Sequence, residues 1–281
     1  RHWAAGQGGK DLISLYAHAY QVEWKSALKT LAQDIGVDQS KAFLSPEKNP
    51  TLKKEGQTLD ATKTDTCQKA QALYKQGVPI QGTVAETYLR KARGIQGTLP
   101  EDFRFIKATW HFETRENRPA LLAPVWGEDH HLKAITRIFL NPDGSKYEGR
   151  YKDRQGKLQK ANPRLSLGSM GKAGIVVQEG LDPRTLWLAE GLETALSVAQ
   201  ALPHQQVVAT TSAERLKSIA PPPGVERIVI CADQDGPQAQ SYQSVLKAAE
   251  HYLKQGLRAF IAMPKPLEGF ETVDFNDVLK H

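Results

Sequence analysis

Two short apolar runs in this 281-residue chain end in acids followed by glycine. The first is Thr185-Leu-Trp-Leu-Ala-Glu190-Gly191, with Glu193 close behind. The second is Arg227-Ile-Val-Ile-Cys-Ala-Asp233-Gln-Asp235-Gly236. In an open α/β sheet, ligands collect at the carboxyl ends of the strands. Two such ends side by side predict one pocket holding Glu190, Asp233 and Asp235. Crowded carboxylates repel one another unless a cation joins them. A hard divalent ion that prefers oxygen, Mg²⁺ or Mn²⁺, suits this set. The predicted chemistry is metal-dependent phosphoryl transfer.

Each acid has a plainer alternative. Glu190 and Gly191 open a helix, where a carboxylate offsets the helix dipole. Glu193 lies one helical turn on, so it can face the same pocket. Asp233 and Asp235, two residues apart at a strand end, can point to one side. They also read as an Asp-Gly turn with two solvated acids. Asp274 reads as the N-cap of a short terminal helix, Phe275-Asn-Asp277-Val-Leu-Lys.

The elements that must position these acids alternate. Strands are expected at 185–189, 206–210, 227–232 and 257–263, and helices at 191–202, 212–219, 238–255 and 275–280. Strand–helix alternation implies a parallel sheet covered on both faces. The helix after Asp235 carries a stripe of Ala239, Tyr242, Val245, Leu246, Ala249, Tyr252 and Leu253. Upstream, apolar spacing predicts two helices within 11–36 and further helix at 65–76 and 83–92. The polar stretch 38–64 reads as a linker or long loop. Residues 120–126 and 133–140 read as paired strands, followed by the turn Asn141-Pro-Asp-Gly144. The division expected is a helical unit at 1–37, a linker at 38–64, an α+β region at 65–173 and an α/β domain at 174–281.

The formal net charge is +6, yet residues 133–172 hold ten Lys or Arg against three Asp or Glu. That local excess of +7 (10 − 3) exceeds the net charge of the whole chain. A basic surface beside an acidic pocket suits a polyanion that must approach the pocket. Lys146, Arg150, Lys152, Arg154, Lys157, Lys160 and Arg164 are the candidate phosphate contacts, and a solvated face is the alternative. Tyr147 and Tyr151 interleave with them, for base stacking or for strand packing. No run of eighteen apolar residues suggests a membrane span. Two distant cysteines, Cys67 and Cys231, suit a reducing, cytoplasmic compartment. The start at Arg1, with neither Met nor signal peptide, suggests a fragment of a longer polypeptide.

The runs Glu190-Gly-Leu-Glu193-Thr-Ala-Leu, Asp233-Gln-Asp235-Gly and Asp274-Phe-Asn-Asp277-Val-Leu resemble the Toprim domain of phage and plasmid DNA primase-like proteins. Toprim is the metal-binding module shared by bacterial primases and several topoisomerases. The resemblance extends upstream to Gly8-Gly-Lys-Asp-Leu-Ile-Ser-Leu and to the Gly-rich Pro163–Gly171 stretch. It implies a Rossmann-like Toprim sheet at the C-terminus, preceded by a mixed α+β domain and a small N-terminal helical unit. It implies Glu190 as general base or metal ligand, and Glu193, Asp233, Asp235, Asp274 and Asp277 as ligands of Mg²⁺ or Mn²⁺ or of its water shell. The implied reaction is nucleotidyl transfer, building an RNA primer from nucleoside triphosphates on single-stranded DNA. The implied setting is phage or plasmid replication or conjugative transfer, with helicase or relaxase domains on the parent polypeptide. Two alternatives stay open: a metal-dependent strand-cleaving enzyme of nuclease or topoisomerase type, and a non-catalytic DNA-binding module of a larger mobilisation protein.

Overall fold

The computed structural model describes residues 55–236 and 238–281. The two helices expected within 11–36 lie outside the described residues, as do the Gly8–Leu15 motif and most of the expected linker. Helix α1 (Glu55–Gln76) nevertheless begins inside the stretch 38–64, ten residues before the expected start at 65. Its first turns are too polar to carry a periodic signal, so composition there reads as loop. A short strand β1 (Val78–Pro79) follows, then a single helical turn α2 (Val84–Thr87) that passes directly into a π-helical turn, Tyr88–Ala92.

Sheet 1 is antiparallel, in the order β1-β2-β3-β4-β7. It comprises β2 (Arg104–His111), β3 (Glu116–Trp126), β4 (Leu132–Phe139) and β7 (Arg164–Gly168). The expected pair is present, with Ala120 opposite Phe139. Central strand β3 is buried on both faces from Ala120 to Val125. The turn after β4 is also present: the Gly144 amide donates to the Asn141 carbonyl at 3.0 Å, and Gly144 has φ +84°. A side chain there would strike Thr87 Cγ2 at 2.7 Å.

The basic segment is more regular than its sequence suggests. A two-stranded hairpin, β5 (Arg150–Lys152) and β6 (Leu158–Lys160), precedes β7. Its strands are only three residues long and rich in Lys and Arg, so neither propensity nor alternation stands out. Gly168 closes β7 with φ +103°, and an added Cβ would lie 2.3 Å from the Lys133 carbonyl. Its freedom from a side chain therefore serves strand packing against β4.

Sheet 2 has the order β12-β11-β9-β10-β8. Strands β9 (Thr185–Ala189), β10 (Gln206–Ala209), β11 (Arg227–Cys231) and β12 (Arg258–Ala262) run parallel, and β8 (Ile175–Gln178) adds an antiparallel edge beside β10. The connecting helices are α3 (Leu192–Ala201), α4 (Gln240–Lys254) and the terminal α5 (Phe275–Lys280). A 3₁₀ turn, Ala213–Ser218, stands where a helix was expected at 212–219.

Alternation along β9 and β11 divides two cores. Leu186, Leu188, Ile228 and Ile230 face α4, where Val245, Ala248 and Tyr252 meet them. The buried stripe of α4 is narrower than its apolar pattern, leaving Leu246 and Leu253 in solvent. Tyr252 donates its hydroxyl to the Leu216 and Ile219 carbonyls, pinning the 3₁₀ turn to α4. On the other face, Ala189 and Cys231 join Leu121, Ala123, Val125 and Ile138 of sheet 1 in one cluster. Helix α3 is buried from Leu192 to Ala199, packed on β8, β9 and β10 and against α5. Cys231 is a buried small hydrophobe, its thiol pushed up to about 12 by burial and by the charge of Asp233.

Candidate active site

Strands β9 and β11 pair in register from Thr185 opposite Arg227 to Ala189 opposite Cys231. Glu190 and Asp233 therefore leave the same end of adjacent parallel strands. A third segment arrives there through a β-bridge between Gln234 and Val273, with the Gln234 amide donating to the Val273 carbonyl at 2.8 Å. That bridge sets Asp274 beside the Asp233-Gln-Asp235 loop.

Asp274 is the N-cap of α5 and forms a capping box with Asp277. The Asp277 amide donates to Asp274 Oδ1 at 2.8 Å, and the Asp274 amide donates to Asp277 Oδ2 at 3.0 Å. Both carboxylates thus serve the helix terminus, and Asp274 also accepts from the Asn276 amide. Asn276, between them, is buried; its side-chain amide donates to the Arg93 carbonyl and to Ser197 Oγ, fixing α5 on α3. Asp235 is exposed and accepts from Ser241 Oγ at 2.8 Å.

The electrostatics identify Asp233 as the centre of the group. Burial, then the charges of Asp274, Glu190, Asp235 and Asp277, push its carboxyl up to about 7. Burial also raises Glu190, opposed by Arg164 and reinforced by Asp235 and Glu214. Arg164 Nη2 lies 3.7 Å from Glu190 Oε1. Among the described residues no three His, Cys, Asp or Glu side chains converge into a ready-made ion cage. The donor set is all carboxylate, and Arg164 offsets part of its mutual repulsion, at Glu190; such a set suits a hard cation that keeps several of its own waters.

Glu193 stands apart from this group. Its carboxylate is buried against Lys146 Nζ at 2.6 Å and the Tyr88 hydroxyl. Burial opposes its ionisation, but the Lys146 charge and hydrogen bonds from Lys146 and Tyr88 win, holding it down at about 2. The spacing that suggested a shared pocket does place Glu193 on the first turn of α3, where Lys146 and Tyr88 both bond its Oε1. Lys146, one of the candidate phosphate contacts, is here paired with Glu193.

The remaining basic candidates divide by exposure. Register pairs Arg150 with Lys160 and Lys152 with Leu158, so these four share the outer face of the hairpin. Arg154 and Lys157 lie exposed in its turn. Tyr151 points the other way and packs against the core of sheet 1. Tyr147 is buried, hydrogen-bonded to Glu116 and covered by Arg118, so packing accounts for both tyrosines. Arg164, at the start of β7, joins this basic track to Glu190. A cavity of about 1280 Å³ along the β8 edge, near Trp126 and Val176, is lined by none of these acids.

Residues 185–281 match the family model of the Toprim domain, and this part of the chain is a Toprim domain. Residues 64–177 match a domain of unknown function, DUF7146. No curated protein matches the chain in sequence. Among solved structures it is similar to a DNA primase domain from Pseudomonas aeruginosa, at 15% identity over 76% of this chain and 74% of that one, with a TM-score of 0.47. It is similar to the DnaG catalytic core at 15% identity, over 76% and 75%, with a TM-score of 0.47. It is also similar to the primase fragment of the bacteriophage T7 primase-helicase protein at 13% identity, over 62% and 61%, with a TM-score of 0.34.

Two stability predictions follow from these charges. Replacing Lys146 by Ala strands the Glu193 carboxylate in the core and is expected to cost about 3–5 kcal/mol in urea unfolding. The double change Lys146→Met with Glu193→Met should recover most of that loss. At Asp233 the sign is reversed. Its folded pKa lies above the unfolded one, so as pH rises from about 4 to 8 the unfolded chain ionises first and stability falls. Metal-free Asp233→Asn should therefore melt above wild type at pH 8, by roughly 5 °C or more, and level with it near pH 4.

Proposed function

We propose that this chain is a primase-type nucleotidyltransferase that binds single-stranded DNA and builds an RNA primer from nucleoside triphosphates. The observation carrying this reading is the gathering of Glu190, Asp233, Asp235, Asp274 and Asp277 around one end of a Toprim sheet. The exposed basic hairpin, joined to that end through Arg164, supports a polyanionic substrate.

Asp233 and Asp235 would hold the cation, with Asp274 and Asp277 on its coordination or water shell. Glu193 is left out of this set, because Lys146 already balances its charge. Mg²⁺ or Mn²⁺, when bound, supplies positive charge that offsets the triphosphate and the developing pentavalent phosphate. Glu190, with its carboxyl raised, takes the proton of the attacking 3′-hydroxyl. The new bond joins that oxygen to the α-phosphorus, and the bond from the α-phosphorus to the bridging oxygen breaks to release pyrophosphate. Arg164 steers a phosphate of template or nucleotide towards Glu190. Resemblance to phage and plasmid proteins favours a role in replication or conjugative transfer, beside helicase or relaxase domains in the cytoplasm. Among the described residues, no helix is long and apolar enough to cross a membrane.

Primer synthesis on single-stranded DNA with labelled nucleotides should appear only with Mg²⁺ or Mn²⁺. Asp233→Asn and Glu190→Gln should each reduce it at least about 100-fold while leaving the far-ultraviolet spectrum unchanged. Cation-dependent cleavage of the strand without incorporation would replace this reading with that of a strand-cleaving enzyme.

The hairpin makes a separate prediction. Replacing Arg150, Lys152 and Arg154 together by Ala should weaken binding to every single-stranded sequence. The slope of log K against log salt should fall by about 2, at roughly 0.7 per lost phosphate contact. An unchanged slope would assign these charges to a solvated surface.

A further inference from the structure

The outer edge of β8 opens onto the cavity of about 1280 Å³. Strand β8 ends sheet 2 and pairs only with β10, so among the described residues no strand lies beyond it. Hydrogen bonding fixes which of its backbone groups are left over. The Thr210 amide donates to the Ala189 carbonyl of β9 at 2.8 Å. Alternate residues of β10, Val208 among them, therefore face β9, and Ala209 faces β8. Ile175, opposite Ala209, is bonded inward, so the amide and carbonyl of the next residue, Val176, point away from the sheet. The Val176 side chain is 39% exposed, while Ile175 and Val177 on either side are buried. Val176 lines the cavity with its cross-strand partner Val208, and Trp126, Met170, Ile219 and Pro222 add apolar surface.

The cavity exceeds the roughly 300–1,000 Å³ of a small-molecule pocket. An open, apolar strand edge is instead a template for another polypeptide. Charge narrows the kind of polypeptide. The lining holds five carboxylates, Glu101, Asp102, Glu128, Asp129 and Glu179, against two lysines, Lys133 and Lys172. Lys133 pairs with Asp129, and Asp102 accepts from the Trp126 indole at 2.6 Å. Among the described residues no ion pair engages Glu101, Glu128, Glu179 or Lys172, and all four are exposed. Three uncompensated carboxylates thus face one lysine, in a chain whose formal net charge is +6.

We propose that the β8 edge takes up an extended, Lys- or Arg-bearing segment of a partner protein as an added strand. The Val176 amide and carbonyl supply main-chain hydrogen bonds. Alternate apolar side chains of the segment enter the cavity, and its cations meet the carboxylates of the rim. The same carboxylates repel a polynucleotide.

The test follows the anisotropy of a fluorescein-labelled heptapeptide, Val-Lys-Val-Arg-Val-Lys-Val, titrated with the full chain. The peptide should bind, and its counterpart with Glu at the three basic positions should not. The double change Glu128→Gln with Glu179→Gln should weaken binding about 5-fold or more. Val176→Pro removes the outward amide without breaking a ladder bond and should weaken binding about 10-fold. Two N-methylated peptides test the same contact should that variant fail to fold, one methylated at every Val amide and one at every basic residue's amide. Only one set of amides faces the edge, so one peptide should lose binding and the other keep it. If both methylated peptides bind like the parent, or the Glu peptide binds as well, strand addition is overturned. Asp233→Asn should leave binding unchanged; a loss there would assign the peptide to the acidic end and overturn the proposal. So would a wild-type chain that binds no peptide but self-associates in sedimentation velocity through Val176, which would give the edge to a second copy.

Discussion

The parallel, in-register pairing of β9 with β11 is the constraint on which the acidic end of the molecule depends. Parallel strands deliver their carboxyl ends to the same side, so residues following Ala189 and Cys231 must meet. The Gln234–Val273 bridge then recruits a segment some forty residues further along the chain. A one-residue slip of β11 would turn Ile228 and Ile230 away from α4, so the core that buries them also fixes where Glu190 and Asp233 emerge. Hydrophobic packing thereby holds like charges together that would separate if free.

The second organising contact lies one helical turn away. Helix α3 is buried from its first residue, and a carboxylate at its start takes its partner from outside the Toprim domain. Tyr88 and Lys146 supply it. Asn276 reaches from α5 to the Arg93 carbonyl beside the same π-helical turn. Polar contacts thus stitch the upstream region to the acidic end, while the cluster around Leu121, Ala123 and Ala189 packs them together.

Much of the Toprim part was legible because its signals are local. Apolar runs of five residues that stop at Asp or Glu mark the strand ends, and α5 begins where Asp274 offers a cap. What stayed hidden depends on distant partners. Nothing near Glu193 announces that Tyr88, 105 residues earlier, will donate to it. Lys146 looks like one more cation of a basic run until the fold gives it to Glu193. Strands β5 and β6 are too short to show a period, and α1 starts in residues too polar to show one.

Arg164, 3.7 Å from Glu190, is an internal counter-ion to the acids. Any positive charge that settles among the carboxylates competes with its guanidinium and frees it towards the basic track. Any anion on the track draws it away from Glu190 and deepens the acids' hold on a cation. On the proposed function, the cation and phosphate sites would therefore share one coupling free energy. By reciprocity each ligand tightens the other by the same factor, whichever binds first.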